Sequence, residues 1–472
     1  MKEGLTFADV LLVPKRTPLN SRSEASTFTR FTRNVPLHIP LISSNMATVT
    51  ENRMAIAMAR EGGLGIIHQF NTIEEQVAEV KKVKRSTSYV IEDPITVSPH
   101  ITIKEAIETM NKTGVTSLLV SENKQLRGIF THRDYLFELD NSKLISAVMT
   151  PFEKLITANP HIKMEEAKRI LHEHRIEKLP LIENGEVRGL ITTKDIHKLE
   201  NWPNCTRDEK GRLRVGAAIG VKDSLERAEE LIKAEVDVLV LDVAHAHSDL
   251  VIKKLKELKS HFHIDIMVGN IATADAARDL IEAGADGLKI GIGPSPVCTT
   301  RIISGSGVPQ ISAIMDVVKV ANQYNVPVTA DGGMKYPGDV AKAIAAGAST
   351  IYSGNFFAGT DESPGFIIMK DGKRYKRYMG SASYDSGHER QEHTDKKKVR
   401  ERLDIFVEGV STLVDYKGPV EDVIKSIIKG LRSGISYCGA RNIKEMQANA
   451  EFMKITAAGW KESQSRGEKL SE

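Results

Sequence analysis

Short apolar runs recur along the chain, most of them closing on a glycine, an aspartate or an asparagine, and each is followed by a stretch with apolar positions every three or four residues. Two come early, Pro40-Leu-Ile-Ser-Ser44 and Gly63-Leu-Gly-Ile-Ile-His68. Six come after residue 203: Arg214-Val-Gly-Ala-Ala-Ile219, Val236-Asp-Val-Leu-Val-Leu-Asp242, Asp265-Ile-Met-Val-Gly-Asn270, Gly287-Leu-Lys-Ile-Gly291, Val326-Pro-Val-Thr-Ala-Asp331 and Thr350-Ile-Tyr-Ser-Gly354. Runs apolar on both faces suit strands covered on both sides, and strand-then-helix repetition predicts parallel pairing. Eight such units predict an α/β fold, a (β/α)8 TIM barrel, whose strand ends converge on one pocket.

The pattern changes between the second and third runs. Ile95-Thr-Val-Ser-Pro-His-Ile-Thr-Ile-Lys-Glu-Ala is echoed by Ile156-Thr-Ala-Asn-Pro-His-Ile-Lys-Met-Glu-Glu-Ala, and Arg127-Gly-Ile-Phe-Thr-His-Arg-Asp134 by Arg188-Gly-Leu-Ile-Thr-Thr-Lys-Asp195. The same offset, 61 residues, separates Pro99 from Pro160 and Asp134 from Asp195. A constant offset means two copies of one folding unit, each read as a short strand, a helix, two apolar strands and a Thr-x-x-Asp at a helix start. The expected division is barrel over 1–87, repeat over 88–203, and barrel again over 204–472, with an active-site loop at 291–310 and a flap at about 379–418.

Composition narrows the classes. Net charge is +3, from 65 basic and 62 acidic side chains, so nucleic acid is not indicated as a partner. Three cysteines in 472 residues give no disulfide framework, which suits a reducing compartment. The start, Met1-Lys2-Glu3-Gly4, has no apolar core of signal-peptide length and no segment is apolar enough to span a bilayer, so a soluble, cytoplasmic protein with no membrane partner is expected.

One cysteine stands apart. Gly291-Ile-Gly-Pro-Ser-Pro-Val-Cys-Thr-Thr-Arg301 sets Cys298 in a glycine-bounded loop directly after an apolar run. Cys205 and Cys438 read as small buried hydrophobes, whereas Thr299, Thr300 and Arg301 are expected to surround Cys298 with donors and a fixed positive charge, conditions that favour a thiolate nucleophile. The other strand ends supply Asn45-Met46, Asp242, Asn270, Asp331-Gly332-Gly333 and Ser353-Gly354. Glycines at the last two strands suit a phosphate, and the Asp331 carboxylate suits a ribose diol.

The Cys298 loop resembles the catalytic loop of the family that contains inosine monophosphate dehydrogenase and GMP reductase, and Glu61-Gly-Gly-Leu-Gly-Ile-Ile-His68, Phe357-Ala-Gly-Thr360, Tyr416-Lys-Gly-Pro419 and Gly430-Leu-Arg-Ser-Gly434 extend the resemblance. It implies a purine nucleotide (IMP, XMP or GMP) attacked at C2 by Cys298, with Thr300 beside it. Ser353, Gly354 and Gly333 would lie at phosphate, Asp331 at ribose, Met46 near the base, and Tyr378 and Glu408 would reach in from the flap. Asp242 and Asn270 would face the nicotinamide cofactor, NAD, or NADP in a reductase. Backbone carbonyls of Gly291, Gly293 and Cys298 resemble the family's potassium site, and a homotetramer is expected. The repeat is similar to a tandem of cystathionine-synthase-type (CBS) modules, a Bateman-type α+β domain. That similarity implies an adenine or guanine nucleotide at Thr131, Asp134, Thr192 and Asp195, or a purely structural insert.

The flap departs from the pattern. Dehydrogenases of the family carry an Arg-Tyr pair there to activate water, and this flap has none, leaving Arg390 and Arg400 as displaced substitutes. Pro296 stands where a phosphate-binding serine is usual, and Ala47 replaces an aspartate. The expected reaction is IMP dehydrogenation, favoured by the C-terminal tail and the CBS-like pair. The missing Arg-Tyr favours GMP reduction instead, and a catalytically inactive nucleotide sensor is the third reading.

Overall fold

The structure is a computed structural model that describes residues 2–86, 90–91, 94–194, 196, 202–383 and 407–464. The chain forms two compact units, one of residues 1–86, 204–206 and 213–472, the other of residues 87–203 and 207–212.

The larger unit is built on eight parallel strands: β1 (Leu41–Ser43), β2 (Leu64–Ile67), β3 (Gly216–Ile219), β4 (Val238–Asp242), β5 (Ile266–Ile271), β6 (Gly287–Ile290), β7 (Val328–Asp331) and β8 (Thr350–Ser353). They pair in chain order, and β8 closes onto β1 through Ser353 opposite Ser43, completing the (β/α)8 barrel. All eight apolar runs became barrel strands. A helix follows each strand: α1 (Asn52–Arg60), α2 (Ile73–Ser86), α3 (Ser224–Lys233), α4 (Asp249–His261), α5 (Ala274–Glu282), α6 (Gln310–Ala321), α7 (Pro337–Ala345) and α8 (Val420–Tyr437). Their starts follow local chemistry, since the hydroxyls of Ser248 and Thr273 accept first-turn amides of α4 and α5, and Pro337 opens α7.

Ile42, Leu64, Ile66, Ala218, Val238, Val240 and Met267 fill the barrel interior, with Phe31, Val35 and Leu37 from a preceding hairpin joining the same cluster. The Phe31 carbonyl lies where a side chain on Gly287, the first residue of β6, would need room, so the hairpin plugs the end at which the strands begin. The opposite end is left to polar residues. A strand at Val10–Leu12 pairs antiparallel with Phe452–Lys454 and ties the two termini of the unit together.

The smaller unit repeats itself element by element. Helix Ile103–Thr113 and strands Ser117–Glu122 and Gln125–Thr131 start 61 residues before helix Met164–Glu173 and strands Lys178–Glu183 and Glu186–Thr192. Each copy has its own core, Ile103, Ala106, Leu118, Val120 and Phe130 in the first and Ala167, Leu171, Leu179, Leu181 and Ile191 in the second.

Candidate active site

The polar end of the barrel is organised around a residue that the sequence pattern concealed. Lys289 lies on β6 with 3% of its side chain exposed, its Nζ 2.7 Å from Asp242 Oδ1 and 2.9 Å from Asp331 Oδ2. It also donates to Asn270 Oδ1 and sits 5.0 Å over the Tyr352 ring. Burial alone would lower its pKa, but the two carboxylates outweigh that penalty and hold the ammonium above its ordinary range. The network extends on both sides. Asn270 Nδ2 donates to Asp331 Oδ2 at 2.9 Å and to the Gly291 carbonyl at 2.6 Å. Asn45 Nδ2 donates to Asp242 Oδ2 at 2.8 Å, and the Tyr352 hydroxyl donates to Asn45 Oδ1 at 2.7 Å. Burial, and then the two aspartates, push the Tyr352 phenol well above its usual pKa, which keeps it a donor.

Asp331, Asp242 and Asn270 therefore sit together, as the strand ends predicted. Both side-chain bonds to the Asp331 carboxylate land on Oδ2. Gln310 Nε2 spans the Ile290 and Asp331 carbonyls, tying β6 to β7. Gly291 approaches so closely that a side chain there would meet the Asp331 carbonyl.

Cys298 is half-buried, and its Sγ lies 3.1 Å from Thr300 Oγ1, which donates at 2.8 Å to Glu408 Oε2. An ionised carboxylate only accepts, so the thiol proton of Cys298 points to Thr300 and the three groups form a directed relay. Glu408, expected against the nucleotide, stands behind Thr300. Its segment is stitched to the cysteine loop: Thr299 N donates to the Glu408 carbonyl at 2.8 Å, and Val410 N to the Val297 carbonyl at 3.0 Å.

Arg301 corrects another expectation. Its guanidinium does not serve as the charge beside the sulfur. It donates to the Val308 carbonyl at 2.6 Å and to the Ile292 carbonyl at 3.3 Å, clipping the loop shut. The Gly291 carbonyl, one of the three expected to hold potassium, accepts from Asn270.

The remaining expected nucleotide contacts converge on Gly354. A side chain there would strike both Met46 Sδ and the Tyr378 hydroxyl. Tyr378 is 2% exposed, and burial raises its pKa against a hydrogen bond from Ser295 of the cysteine loop. Ser353 Oγ accepts Phe356 N at 3.2 Å and starts the turn after β8. Gly332 and Gly333, with φ of 80° and 82°, turn β7 back under Pro294 in a conformation other residues resist. In the smaller unit, Asp134 Oδ2 accepts the Thr131 amide at 2.6 Å and its hydroxyl at 2.9 Å, so this pair caps a helix start, and Thr192 closes the equivalent strand. Asp195, Arg390 and Arg400 lie outside the described residues.

Sequence reasoning missed Lys289 and Tyr352, and it placed Asn45 at a strand end without giving it a role. The signal was a single charge inside Gly287-Leu-Lys-Ile, because a buried cation requires carboxylate partners.

Comparison with known proteins places the whole chain in one family. The model of the IMP dehydrogenase / GMP reductase domain matches residues 4–466. An inosine-5'-monophosphate dehydrogenase from Nitrosopumilus maritimus is 49% identical over 98% of both chains. A GMP reductase from Leishmania donovani is 48% identical over 98% of this chain and 96% of its own. The structure of GMP reductase from Trypanosoma brucei in complex with guanosine 5'-monophosphate superposes with a TM-score of 0.86 at 45% identity, covering 99% of this chain and 98% of that one. The chain belongs to the IMP dehydrogenase / GMP reductase family and is an NAD(P)-dependent oxidoreductase.

Proposed function

We propose that this enzyme reduces GMP to IMP with release of ammonia. The observation that carries the reading is the Cys298–Thr300–Glu408 relay combined with a flap that has no Arg-Tyr pair. Relatives at 49% and 48% identity carry the two opposite activities, so likeness alone does not choose between them.

The chemistry follows from the relay. The Cys298 sulfur adds to C2 of the purine, its proton passing to Thr300 and Glu408. The same relay returns a proton to the exocyclic amine, which leaves as ammonia and gives a thioimidate on the sulfur. A reduced nicotinamide, when bound, supplies a hydride to C2. Expulsion of the sulfur then completes IMP and restores Cys298. No step requires an activated water, which is what a flap lacking Arg-Tyr would accommodate. Asp242, with 15% of its side chain exposed beside Asn270 and Lys289, suits the carboxamide side of such a cofactor. Asp331 Oδ1 would take the ribose hydroxyls, and the turns at Gly333 and Ser353–Gly354 the phosphate, with Met46 and Tyr378 closing over them.

IMP dehydrogenation is the second reading, supported by the N. maritimus relative, and it requires Arg390 or Arg400 to activate water. Incubating the protein with GMP plus NADPH, and separately with IMP plus NAD+, while following nicotinamide absorbance and ammonia, separates the two. Ammonia release coupled to NADPH oxidation is expected. XMP formed from IMP and NAD+ would replace this reading with the dehydrogenase, and silence in both assays would leave a nucleotide sensor.

A further inference from the structure

Two side chains of the site have no part in the chemistry above, Tyr352 on β8 and Asn45 just beyond β1. They lie 307 residues apart and come together because β8 closes onto β1. Both are buried, Tyr352 with 0% and Asn45 with 2% of its surface exposed. An asparagine amide can sit either way round, but its neighbours here allow only one. Paired with the Lys289 ammonium, the Asp242 carboxylate only accepts, so the 2.8 Å contact at its Oδ2 comes from Asn45 Nδ2, and Asn45 Oδ1 faces the Tyr352 hydroxyl at 2.7 Å. The phenol is then the donor, and burial keeps it from losing its proton. The line runs in one direction, from the Tyr352 O–H to Asn45 Oδ1 and from the Asn45 amide to Asp242 Oδ2, while Lys289 holds the other oxygen of Asp242.

Packing does not account for the hydroxyl. Tyr352 belongs to the apolar cluster inside the barrel, and its ring lies against the Lys289 ammonium at 5.0 Å, two roles that a phenylalanine would fill as well. The oxygen does something else. Besides donating to Asn45 Oδ1, it accepts the Asn45 backbone amide at 3.3 Å, so both of its bonds go to one residue. That residue in turn directs its side-chain amide at a single carboxylate, Asp242. We propose that Tyr352 is a positioning residue for the nicotinamide cofactor, acting through Asn45 to fix the orientation of the Asp242 carboxylate. With Oδ1 held by Lys289 and Oδ2 by Asn45, Asp242 cannot rotate, and it meets an incoming amide donor in one set geometry. Without the Tyr352 hydroxyl, Asn45 Oδ1 is a buried acceptor with no donor, and the amide turns or withdraws from Asp242. The inference rests on the placing of Asp242 beside the cofactor, and it does not depend on the direction of the redox reaction.

Calorimetry on Tyr352→Phe, Asn45→Ala and the double variant tests it, each built on full-length Cys298→Ala so that nothing turns over. NADPH is titrated into GMP-saturated protein, or NAD+ into IMP-saturated protein if that is the pair the Cys298→Ala parent binds, and the nucleotide is titrated alone. Losing one net hydrogen bond changes an affinity about fivefold, so each single variant is expected to bind the cofactor more weakly by about that factor, with nucleotide affinity unchanged. Because Tyr352 acts through Asn45, the double variant should bind no more weakly than Asn45→Ala. Asp242→Ala on the same background is the control. If it keeps full cofactor affinity, the placing of Asp242 falls and the proposal falls with it. If it weakens the cofactor and Tyr352→Phe does not, the proposal alone is overturned. Losses that add in the double variant, or a nucleotide affinity that falls in step with that of the cofactor, would likewise reduce Tyr352 to a packing residue. Should Tyr352→Phe fail to fold, Tyr352→Met, which also lacks the hydroxyl, takes its place.

Discussion

Lys289 illustrates how a single buried charge can set the chemistry of a site. Its ammonium is shared between two carboxylates, so the floor of the pocket carries one net negative charge instead of two. Removing one partner of such a buried set typically costs about 3–5 kcal/mol, because the remaining charges stay desolvated and unpaired. Lys289→Met is therefore expected to lower the melting temperature and raise the nucleotide KM sharply, as Asp331 swings away from Asn270 and its fellow carboxylate. A variant with unchanged melting and KM would show that the aspartates do not need it. Cys298 has no such structural duty. Cys298→Ala should keep its fold and bind GMP, measured by calorimetry, while losing turnover entirely, and residual turnover near the wild-type rate would remove the covalent step from the mechanism. Cys298 was legible because its flanks made no sense for a core position. Lys289 was not, since one polar letter in a buried strand gives no direction until the barrel closes and shows which carboxylates face it.

At the level of elements, the sequence placed the cysteine loop directly after a strand but did not show what the loop is joined to. Arg301 follows Cys298 by three residues, and its charge was expected at the sulfur. The turn beginning at Thr300 sends the guanidinium across the loop to Val308 instead. Glu408 comes more than a hundred residues after Thr300, so no local pattern could reveal their bond. Lys417 is another such long-range tie. It donates to the carbonyls of Asn355 and Phe356, behind the turn that starts at Ser353, and burial, partly opposed by Asp415, pushes its pKa from the usual 10.5 down to about 8. Between those two values the unfolded chain holds the proton and the folded chain does not, so stability rises as pH climbs from about 8 to 10.5. Below pH 8 both states are protonated and the burial penalty is present in full. The gain across the window is at most about 3 kcal/mol at 1.36 kcal/mol per unit. Comparing thermal melts of wild type and Lys417→Met at pH 7 and pH 10 should show wild type gaining on the variant as pH rises. A constant difference would mean that Lys417 stays charged throughout. The variant should also bind the nucleotide phosphate more weakly, because the turn loses its tether.

The whole molecule was the most legible scale, for a physical reason. A parallel strand buried on both faces must be apolar throughout, so the eight barrel runs could be read without knowing their neighbours. A duplicated unit likewise keeps its spacing, and the 61-residue offset reappears in the long helix and the two long strands of each copy. What that spacing could not reveal was ligand chemistry, since Thr131 and Asp134 fold onto each other as a helix cap. The smaller unit carries two cores of its own and enters the chain between α2 and β3, and the contacts described above for Cys298, Lys289 and Gly354 are all made within the larger unit. Residues 87–203 are accordingly expected to be dispensable for the chemistry. Joining Ser86 to Asn204 by a short glycine-serine linker should leave the barrel folded, because replacing a long excursion with a short flexible loop lowers the entropy cost of closure. The excised enzyme should keep kcat within a few fold of wild type, measured by the same nicotinamide absorbance, and lose any response to adenine or guanine nucleotides that the full chain displays. A well-folded excised barrel without activity would place the repeat inside the catalytic unit. Retained nucleotide regulation would move the regulatory site into the barrel.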